Sequence, residues 1–294
     1  MTLELHELTK CYRNKTALNN VSVSLTPGVW GLLGPNGAGK TTMMNIIAGI
    51  LPPTSGTVLW NDRPIHELGA DFRSILGFLP QSAGLYENFT ARMYLRYFCA
   101  LKGLYQKKEE KARLEEHIKQ TLETVNLTSD ADRRIAAFSG GMCQRLGVAQ
   151  AILGDPQLII LDEPTAGLDP QERARLRNAV AATSGNRIIL WSTHIVSDVE
   201  NIAGKIILLQ EGHCIAVGSP NELMTEMEGK VWTLLVSAEE LAVYKERYTL
   251  SNIVADEDKF RIRIVASERP HREAQAVKPN LEDLYLLRYG GGAG

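Results

Sequence analysis

A glycine-rich stretch near the amino terminus combines the residue types and the spacing that bind phosphate. It fits the pattern GxxxxGK[ST] and consists of Gly34, Pro35, Asn36, Gly37, Ala38, Gly39, Lys40 and Thr41, with Thr42 next. Because glycines lack side chains, consecutive backbone N–H groups can curl around a β-phosphate, and the positive end of a following helix adds to the attraction. We expect Lys40 to bridge the β- and γ-phosphate oxygens and Thr41 to ligate magnesium. The alternative is a glycine turn in an ordinary loop, which the strand and helix predicted on either side disfavour.

Two adjacent carboxylates stand at the end of an apolar segment. Asp162 and Glu163 follow Leu-Ile-Ile-Leu at residues 158–161, which predicts a buried strand. Ligands of open α/β sheets bind at the carboxyl ends of strands, so both side chains are expected at that edge. Asp162 suits the coordination shell of magnesium, and Glu163 suits the orientation and polarisation of a water that attacks a γ-phosphate. Two acids after a strand more commonly form a helix cap or a loop, and their pairing with the phosphate-binding motif is what favours catalysis.

The elements that must position these residues are those of an α/β protein. Short runs rich in Val, Ile and Leu alternate with longer helical patterns through residues 1–220, which predicts a partly parallel sheet. Residues 3–8 and 21–25 alternate more strictly and predict a half-exposed antiparallel layer. Residues 29–33 predict a buried strand that leads into the phosphate-binding motif, and residues 90–125 predict helix.

A change of character after Gly-Ser-Pro at residues 218–220 predicts a second domain. The segments that follow predict a small α+β arrangement: a helix at 221–227, strands at 231–236 and 260–265, and a final helix at 281–287. The expected organisation is a nucleotide-binding domain over 1–220, an accessory domain over 221–289 and a flexible Gly-Gly-Gly-Ala-Gly tail over 290–294.

The composition excludes several classes of protein. The chain has 294 residues, of which 44% are hydrophobic and 22% charged, and a formal net charge of −2. These values indicate a soluble globular protein rather than a disordered or fibrous one, and no basic excess points to nucleic acid. No apolar run approaches the roughly 20 residues that span a bilayer, and the amino terminus lacks the features of a signal peptide. The four cysteines, Cys11, Cys99, Cys143 and Cys214, form no CxxC motif, which favours reduced thiols in the cytosol.

Further motifs resemble those of the ATP-binding cassette (ABC) ATPases. Residues 138–145, Phe-Ser-Gly-Gly-Met-Cys-Gln-Arg, resemble the signature sequence of that family, usually written LSGGQ. Tyr12, Gln81, Asp169 and His194 occur in the family's order, and the resemblance covers residues 1 to about 220. It implies a P-loop NTPase cassette with a RecA-like core, an antiparallel β layer and a helical subdomain at about 85–155. It also implies ATP hydrolysis, with ATP and Mg²⁺ as cofactors.

The resemblance implies roles at the nucleotide for three further residues. Tyr12 would stack on adenine, Gln81 would bind magnesium and the attacking water, and His194 would hydrogen-bond the γ-phosphate and help to align that water. Each residue type also has an ordinary alternative. These are a half-buried strand tyrosine, a solvated loop glutamine and a structural or solvent-facing histidine. The place of each residue in the ordered series favours the functional role.

The signature sequence implies that the active unit is a dimer. Ser139, Gly140 and Gly141 would bind the γ-phosphate held by the opposite protomer, with the positive end of the next helix pointing at it. Asp169 would lie at the dimer seam, and the dimer would depend on ATP. The signature departs from the family pattern at Phe138, which replaces Leu, and at Met142-Cys143. Met142 lacks the amide that could touch the opposing nucleotide, so the role of that position is not carried over.

A single cassette without a membrane segment implies a separate membrane partner. If the chain drives transport, the pore lies on a permease polypeptide, and the ATPase is cytoplasmic and peripheral to the inner face of the cell membrane. Residues 87–92 and 277–285 resemble stand-alone cassettes of the drug-export or ABC-2 type. The rival is a soluble ABC ATPase associated with ribosomes, DNA or cofactor assembly. The second cassette, coiled coil or zinc insertion of such proteins is missing here, and no nucleic acid partner is expected.

Overall fold

The computed structural model describes residues 1–82, 84–104, 107 and 110–290. The chain divides into two compact units, Met1–Ile215 and Ala216–Gly294. The division falls inside an edge strand with few buried residues, slightly before the change of composition at residue 220. Of the expected tail at 290–294, all but Gly290 lies outside the described residues. In the part of the chain that the structure describes, no helix has the length and apolar character needed to span a bilayer.

The first unit contains two sheets. Its strands are β1 (Leu3–Tyr12), β2 (Lys15–Leu25), β3 (Gly28–Leu33), β4 (Ser55–Trp60), β5 (Arg63–Pro64), β6 (Leu76–Leu79), β7 (Leu158–Asp162), β8 (Ile188–Thr193), β9 (Lys205–Gln210) and β10 (His213–Gly218). An antiparallel sheet has the order β2-β1-β4-β5. The central sheet has the order β10-β9-β3-β8-β7-β6, and its strands from β9 to β6 are parallel. The antiparallel layer and the partly parallel sheet expected from the sequence are confirmed.

The helices of the first unit include two where the sequence predicted one. They are α1 (Lys40–Ile47), α2 (Ile65–Leu68), α3 (Ala70–Ser74), α4 (Ala91–Leu101), α5 (Lys111–Thr124), α6 (Gly140–Ile152), α7 (Pro170–Thr183) and α8 (Val196–Val199), with 3-10 turns at Thr128–Asp130 and Ile135–Ala137. The expected helix at 90–125 is interrupted between α4 and α5. Gly103 has a φ of 70°, a left-handed conformation that glycine adopts easily and that commonly ends a helix.

The core of the first unit joins α1 to both sheets. Met44 of α1 is fully buried in one cluster with Leu5 and Val58 of the antiparallel sheet and with Leu32 and Ile160 of the central sheet. Burying such side chains stabilises a fold by about 1.5–3 kcal/mol each. Because α1 starts directly after the loop that follows β3, this packing fixes both ends of the phosphate-binding motif.

The second unit is a small α+β arrangement. Its elements are α9 (Pro220–Thr225), β11 (Val231–Val236), α10 (Ala238–Arg247), β12 (Thr249–Asp256), β13 (Lys259–Val265), β14 (Gln275–Ala276) and α11 (Leu281–Tyr289). The strands form an antiparallel sheet in the order β12-β13-β11-β14, and Leu234, Leu241 and Ile262 belong to its core. The α+β class expected from the sequence is confirmed, although α10 and β12 were not predicted.

A buried ion pair joins α11 to the sheet of the second unit. The carboxylate of Asp283 is fully buried and accepts hydrogen bonds from Arg263 Nε at 2.8 Å, Arg263 Nη2 at 2.6 Å and Ser251 Oγ at 2.5 Å. Burial by itself raises the pKa of Asp283, but the hydrogen bonds from Arg263, from Ser251 and from the backbone of Asn280 hold that pKa below its ordinary value. The charged form of Asp283 is therefore part of the folded structure.

Candidate functional site

The phosphate-binding motif forms the connection from β3 to α1, and two of its glycines are required by packing. A Cβ at Gly34 would lie 2.3 Å from the carbonyl oxygen of Leu209, and a Cβ at Gly39 would lie 2.4 Å from that of Ala17. Gly39 also has a φ of 108°. Any other residue at these two positions would displace the loop, so the glycines fix its path as well as leaving room for a ligand.

The side chain of Lys40 is buried against this loop. Its Nζ donates hydrogen bonds to the carbonyl oxygens of Gly34 at 2.7 Å and Pro35 at 3.2 Å, and it lies 3.8 Å from Glu163 Oε1. Burial lowers the pKa of Lys40, and the negative charges of Glu163 and Asp162 oppose that shift. The ammonium group is thus held between loop carbonyls and a carboxylate, and Lys40 lines the cavity beside the loop.

A cavity of about 380 Å³ beside the loop gathers half of the residues that the sequence assigns to the nucleotide and its magnesium. Its lining consists of Tyr12, Lys15, Ala17, Asn36, Gly37, Gly39, Lys40, Thr41, Thr42, Gln81 and Glu163. Tyr12 ends β1 and is 45% exposed, and Lys10 Nζ lies over its ring at 5.4 Å from the centroid. Lys15 and Ala17 were not predicted, because only the pairing of β2 with β1 brings them here.

Three residues of the motif stand outside this lining. Gly34 and Pro35 contribute the carbonyl oxygens that hold Lys40, and Ala38 is buried. These three residues therefore hold the Lys40 side chain in place or pack into the core, and they do not face the cavity.

Asp162 ends β7, and within the described residues only one of its carboxylate oxygens is hydrogen-bonded. The residue is 1% exposed, and Ser192 of the neighbouring strand β8 donates from Oγ to Asp162 Oδ1. Among the described residues, nothing forms a hydrogen bond with Asp162 Oδ2. A buried carboxylate oxygen without a partner is costly, and a cation satisfies it. Together with the Thr41 hydroxyl and the Gln81 amide at the adjacent cavity, this oxygen makes a donor set that fits Mg²⁺.

Glu163 has a strained backbone that neighbouring segments hold in place. Its φ of 50° lies in the left-handed region, which costs a residue with a side chain about 1–3 kcal/mol. Its N–H donates to the carbonyl oxygen of Ser192 at 3.2 Å and to Ser192 Oγ at 3.1 Å. Its carbonyl oxygen accepts from Gln144 Nε2 of α6 at 3.1 Å. The turn aims the carboxylate of Glu163 at the cavity that Lys40 lines.

His194 meets the carboxylate of Glu163 at the edge of this site. His194 Nδ1 lies 3.0 Å and 3.1 Å from the two carboxylate oxygens, and the histidine side chain is 48% exposed. His194 does not belong to the lining of the cavity around Lys40, and it reaches the site through its contact with Glu163. The structure brings Glu163, His194 and Lys40 together, whereas the sequence separates them widely.

The signature residues and Asp169 occupy the amino-terminal ends of two helices. Ser139 caps α6 by accepting the Met142 N–H at 3.2 Å, and Asp169 caps α7 by accepting the Glu172 N–H at 2.8 Å. Both caps are exposed. Within the described residues of one chain, neither Asp169 nor Ser139-Gly140-Gly141 belongs to the lining of the cavity around Lys40. The structure does not bring these motifs to the chain's own phosphate-binding loop.

An ion pair that the sequence did not reveal connects α6 with α7. Arg145 Nη2 lies 2.9 Å from Glu172 Oε1, and Arg145 Nη1 donates to the carbonyl oxygen of Asn126 at 2.7 Å. A Cβ at Gly141 would lie 2.6 Å from Glu172 Oε2, so the two helices touch closely at this glycine. Burial raises the pKa of the neighbouring Cys143 thiol, which keeps that sulfur protonated and fits a packing role.

Comparison with known proteins gives consistent matches. The family profile described as "ABC transporter" matches residues 18–166. The chain is 36% identical over 253 residues to "Uncharacterized ABC transporter ATP-binding protein YxlF" of Bacillus subtilis, covering 86% of this chain and 82% of that protein. It is 33% identical to "Nod factor export ATP-binding protein I" of Sinorhizobium fredii, covering 99% of this chain and 86% of that protein.

A solved structure shares the fold of most of the chain. It is described as the dimeric structure of MJ0796, a bacterial ABC transporter cassette, and superposes with a TM-score of 0.68 at 25% identity. The match covers 74% of this chain and 98% of that one. About a quarter of this chain, a share similar to that of the second unit, therefore has no counterpart in that cassette.

Proposed function

Since the chain belongs to the ABC transporter family, as an ATP-binding subunit that hydrolyses ATP, we propose that this hydrolysis depends on magnesium and drives export through a membrane permease on a separate chain. The observation that carries the magnesium dependence is the buried Asp162 Oδ2, which forms no hydrogen bond with any described residue and lies beside the cavity that Lys40 and Thr41 line. Bound Mg²⁺ would neutralise charge on the phosphate oxygens. Asp162, Thr41 and Gln81 are the residues proposed to hold it.

In this proposal the chain's own residues divide the work at the γ-phosphate. Lys40 binds phosphate oxygens, and Tyr12 stacks on the adenine at the rim of the cavity. Glu163 orients a water and accepts its proton, because it is the carboxylate that faces the cavity. His194 contacts Glu163 directly and hydrogen-bonds the γ-phosphate in the assembled site. The His194 side chain is 48% exposed, so a bound ligand can reach it.

A second copy of the cassette is proposed to complete each site. Ser139 and Asp169 are exposed helix caps that lie outside the lining of their own chain's cavity, which supports contact with a nucleotide held elsewhere. The amino terminus of α6, where Gly140 and Gly141 follow Ser139, presents backbone N–H groups that suit a γ-phosphate. The similar solved cassette is described as dimeric, which supports a dimer in general.

An exposed apolar stripe on α4 supports a membrane partner. Met93, Tyr97 and Leu101 are 48%, 38% and 63% exposed, and their spacing of four residues puts them on one face of the helix. Tyr86 extends the stripe, since its ring centroid lies 5.5 Å from that of Tyr97. Exposed apolar patches of this kind mark interaction sites. We assign this stripe to the permease, which would hold the chain at the inner face of the membrane.

The relatives do not favour the soluble alternative. The name of the Sinorhizobium protein, which this chain matches over almost its whole length, states that it takes part in export. An association with ribosomes, DNA or cofactor assembly has no such support.

Replacement of Glu163 tests the proposed chemistry. The Glu163→Gln variant keeps the size of the side chain and removes the base, so ATP binding should persist while turnover falls by about 100-fold or more. Glu116→Gln is a matched control, because Glu116 is an exposed carboxylate on α5. Chelation of magnesium should stop hydrolysis by the parent protein, and added magnesium should restore it. Wild-type turnover by Glu163→Gln, or hydrolysis in the presence of excess chelator, would contradict the proposal.

A further inference from the structure

A buried carboxylate that the sequence analysis did not single out lies close in the chain to His194 and is hydrogen-bonded to the turn after Glu163. Asp198, on α8, is 1% exposed, and Thr165 Oγ1 donates to Asp198 Oδ2 at 2.5 Å. Arg177 Nη1, on α7, lies 3.7 Å from Asp198 Oδ1, which has no hydrogen-bond partner among the described residues. Burying a carboxylate this incompletely satisfied costs free energy that an apolar residue would avoid. The arrangement therefore calls for a role other than stability.

Asp198 joins the two short segments that carry Glu163 and His194. On one side, Thr165 belongs to the turn after Glu163, in which the Ala166 N–H donates to the carbonyl oxygen of Glu163 at 3.1 Å. On the other side, Asp198 lies in the first turn of the helix that follows His194, and its N–H donates to the carbonyl oxygen of Ile195 at 3.1 Å. The Thr165–Asp198 bond thus connects the backbone of the acid to that of the histidine.

The connection matters because the backbone of Glu163 is strained. A residue with φ of 50° relaxes unless its surroundings hold it, and the turn at Ala166 is one part of those surroundings. The distance of 3.0 Å between His194 Nδ1 and Glu163 Oε1 is set by both segments. A shift of about 1 Å at a reacting group can reduce turnover by about 100-fold.

We infer that Asp198 and Thr165 are positioning residues. Through one buried hydrogen bond they hold Glu163 and His194 at the mutual distance and orientation needed at the γ-phosphate. The inference rests on the proposed function of Glu163 and His194. Arg177 takes part by donating to the carbonyl oxygen of Ser197 at 2.5 Å, which brings its charge near Asp198. Neither Asp198 nor Thr165 lines the cavity, so they affect turnover without contacting the nucleotide.

Steady-state kinetics on the full chain test this inference. Thr165→Val keeps the shape of the side chain and removes the hydroxyl, so kcat should fall by about 10-fold or more while KM for ATP changes by less than about twofold. Thr165→Ser is the matched control, because it keeps the donor and should restore most of the lost kcat. Asp198→Leu keeps the branching of the side chain and removes the acceptor, so it should resemble Thr165→Val. The double variant should be no worse than either single variant, since both remove the same bond.

The outcomes separate this inference from the proposed function. If Glu163→Gln loses turnover while Thr165→Val keeps wild-type kcat, the positioning role is wrong and the proposed function stands. If Thr165→Ser is as impaired as Thr165→Val, or if the losses of the two single variants add, the shared bond is not the cause and the inference fails. If Glu163→Gln keeps wild-type turnover, the proposed function fails. Binding of a fluorescent ATP analogue, measured for every variant, should stay within about twofold of the parent, and a larger loss for Thr165→Val would contradict the inference.

Discussion

Substitutions at Ser139 test the shared site, because the structure separates two consequences of changing this residue. Ser139 Oγ accepts the Met142 N–H and caps α6 within its own chain. Ser139→Ala removes that cap, which costs about 1 kcal/mol and lowers Tm by about 2–4 °C. Ser139→Asp keeps an acceptor for the Met142 N–H and puts a negative charge at the positive end of α6. The Ser139→Asp variant should therefore be at least as thermally stable as the parent, and Ser139→Ala should be the least stable of the three proteins.

The order of dimer affinity should be different. In the proposed dimer Ser139 of one chain faces the γ-phosphate held by the other, so Ser139→Asp sets a carboxylate against phosphate. Two like charges about 4 Å apart at an effective dielectric constant of about 20 repel by about 4 kcal/mol, or roughly 1000-fold in affinity for each site. Ser139→Ala loses only a hydrogen bond to a charged group, about 1.5–3 kcal/mol. Dimer affinity should thus fall from Ser to Ala to Asp.

Light scattering in the Glu163→Gln background measures the dimer while hydrolysis is blocked. With Ser139 intact, ATP should double the mass in solution and ADP should not. With Ser139→Asp the protein should stay monomeric in ATP, and nucleotide binding at Lys40 should be retained. Dimer formation by Ser139→Asp with unchanged affinity would refute the shared site. A dimer affinity that follows thermal stability across the three proteins would show that the helix cap is the only contribution of this residue.

Two more predictions concern a surface and the second unit. Replacing Met93, Tyr97 and Leu101 by Asp should reduce co-purification with the permease by about 10-fold or more. ATP hydrolysis by the isolated chain should stay within about twofold of the parent. The control is Val243→Asp, which changes an exposed apolar residue on a helix of the second unit and should alter neither measurement. Equal recovery of the permease with the triple variant would contradict the assignment. Asp283→Asn should destabilise the second unit by about 3 kcal/mol at pH 7. The folded-state pKa of Asp283 is held below the ordinary value of about 4. The ionised carboxylate therefore stabilises the folded protein fully above about pH 4, and this stabilisation is lost as the pH falls through the lower folded-state pKa. Urea unfolding at pH 7 and pH 3 should therefore show a smaller difference between variant and parent at pH 3, and an equal difference would refute the reasoning.

The phosphate-binding loop could be predicted from the sequence because its geometry is local. The order of strand, glycines and helix needs no information about distant segments, and the structure has Lys40 and Thr41 at the start of α1 as expected. The break after α4 was also present in the sequence. Gly103 follows a basic residue at the end of a helical pattern, which is a common termination signal that the helix predicted at 90–125 ignored.

The second unit was harder to predict because its elements have weak patterns. None of the eight positions of β12 is buried and four successive ones are exposed, and α10 has a single buried side chain, that of Leu241. A usable signal existed for α10. Ser237 and Glu240 form a capping box, in which each side chain bonds the other's backbone N–H, and the S-x-x-E pattern is visible in the sequence.

Sheet order supplies what the motifs alone do not. Ser192 binds both Asp162 and the Glu163 backbone because β8 lies beside β7, and no local pattern states that the two strands are neighbours. The same adjacency brings His194 to Glu163 and Asp198 to the turn beyond it. The segment at 192–198 therefore contacts the segment at 162–165 at successive points along its length. Residues that only support such contacts belong to no recognisable sequence motif. Their hydrogen bonds could therefore be identified only from the structure, in which the two strands lie side by side.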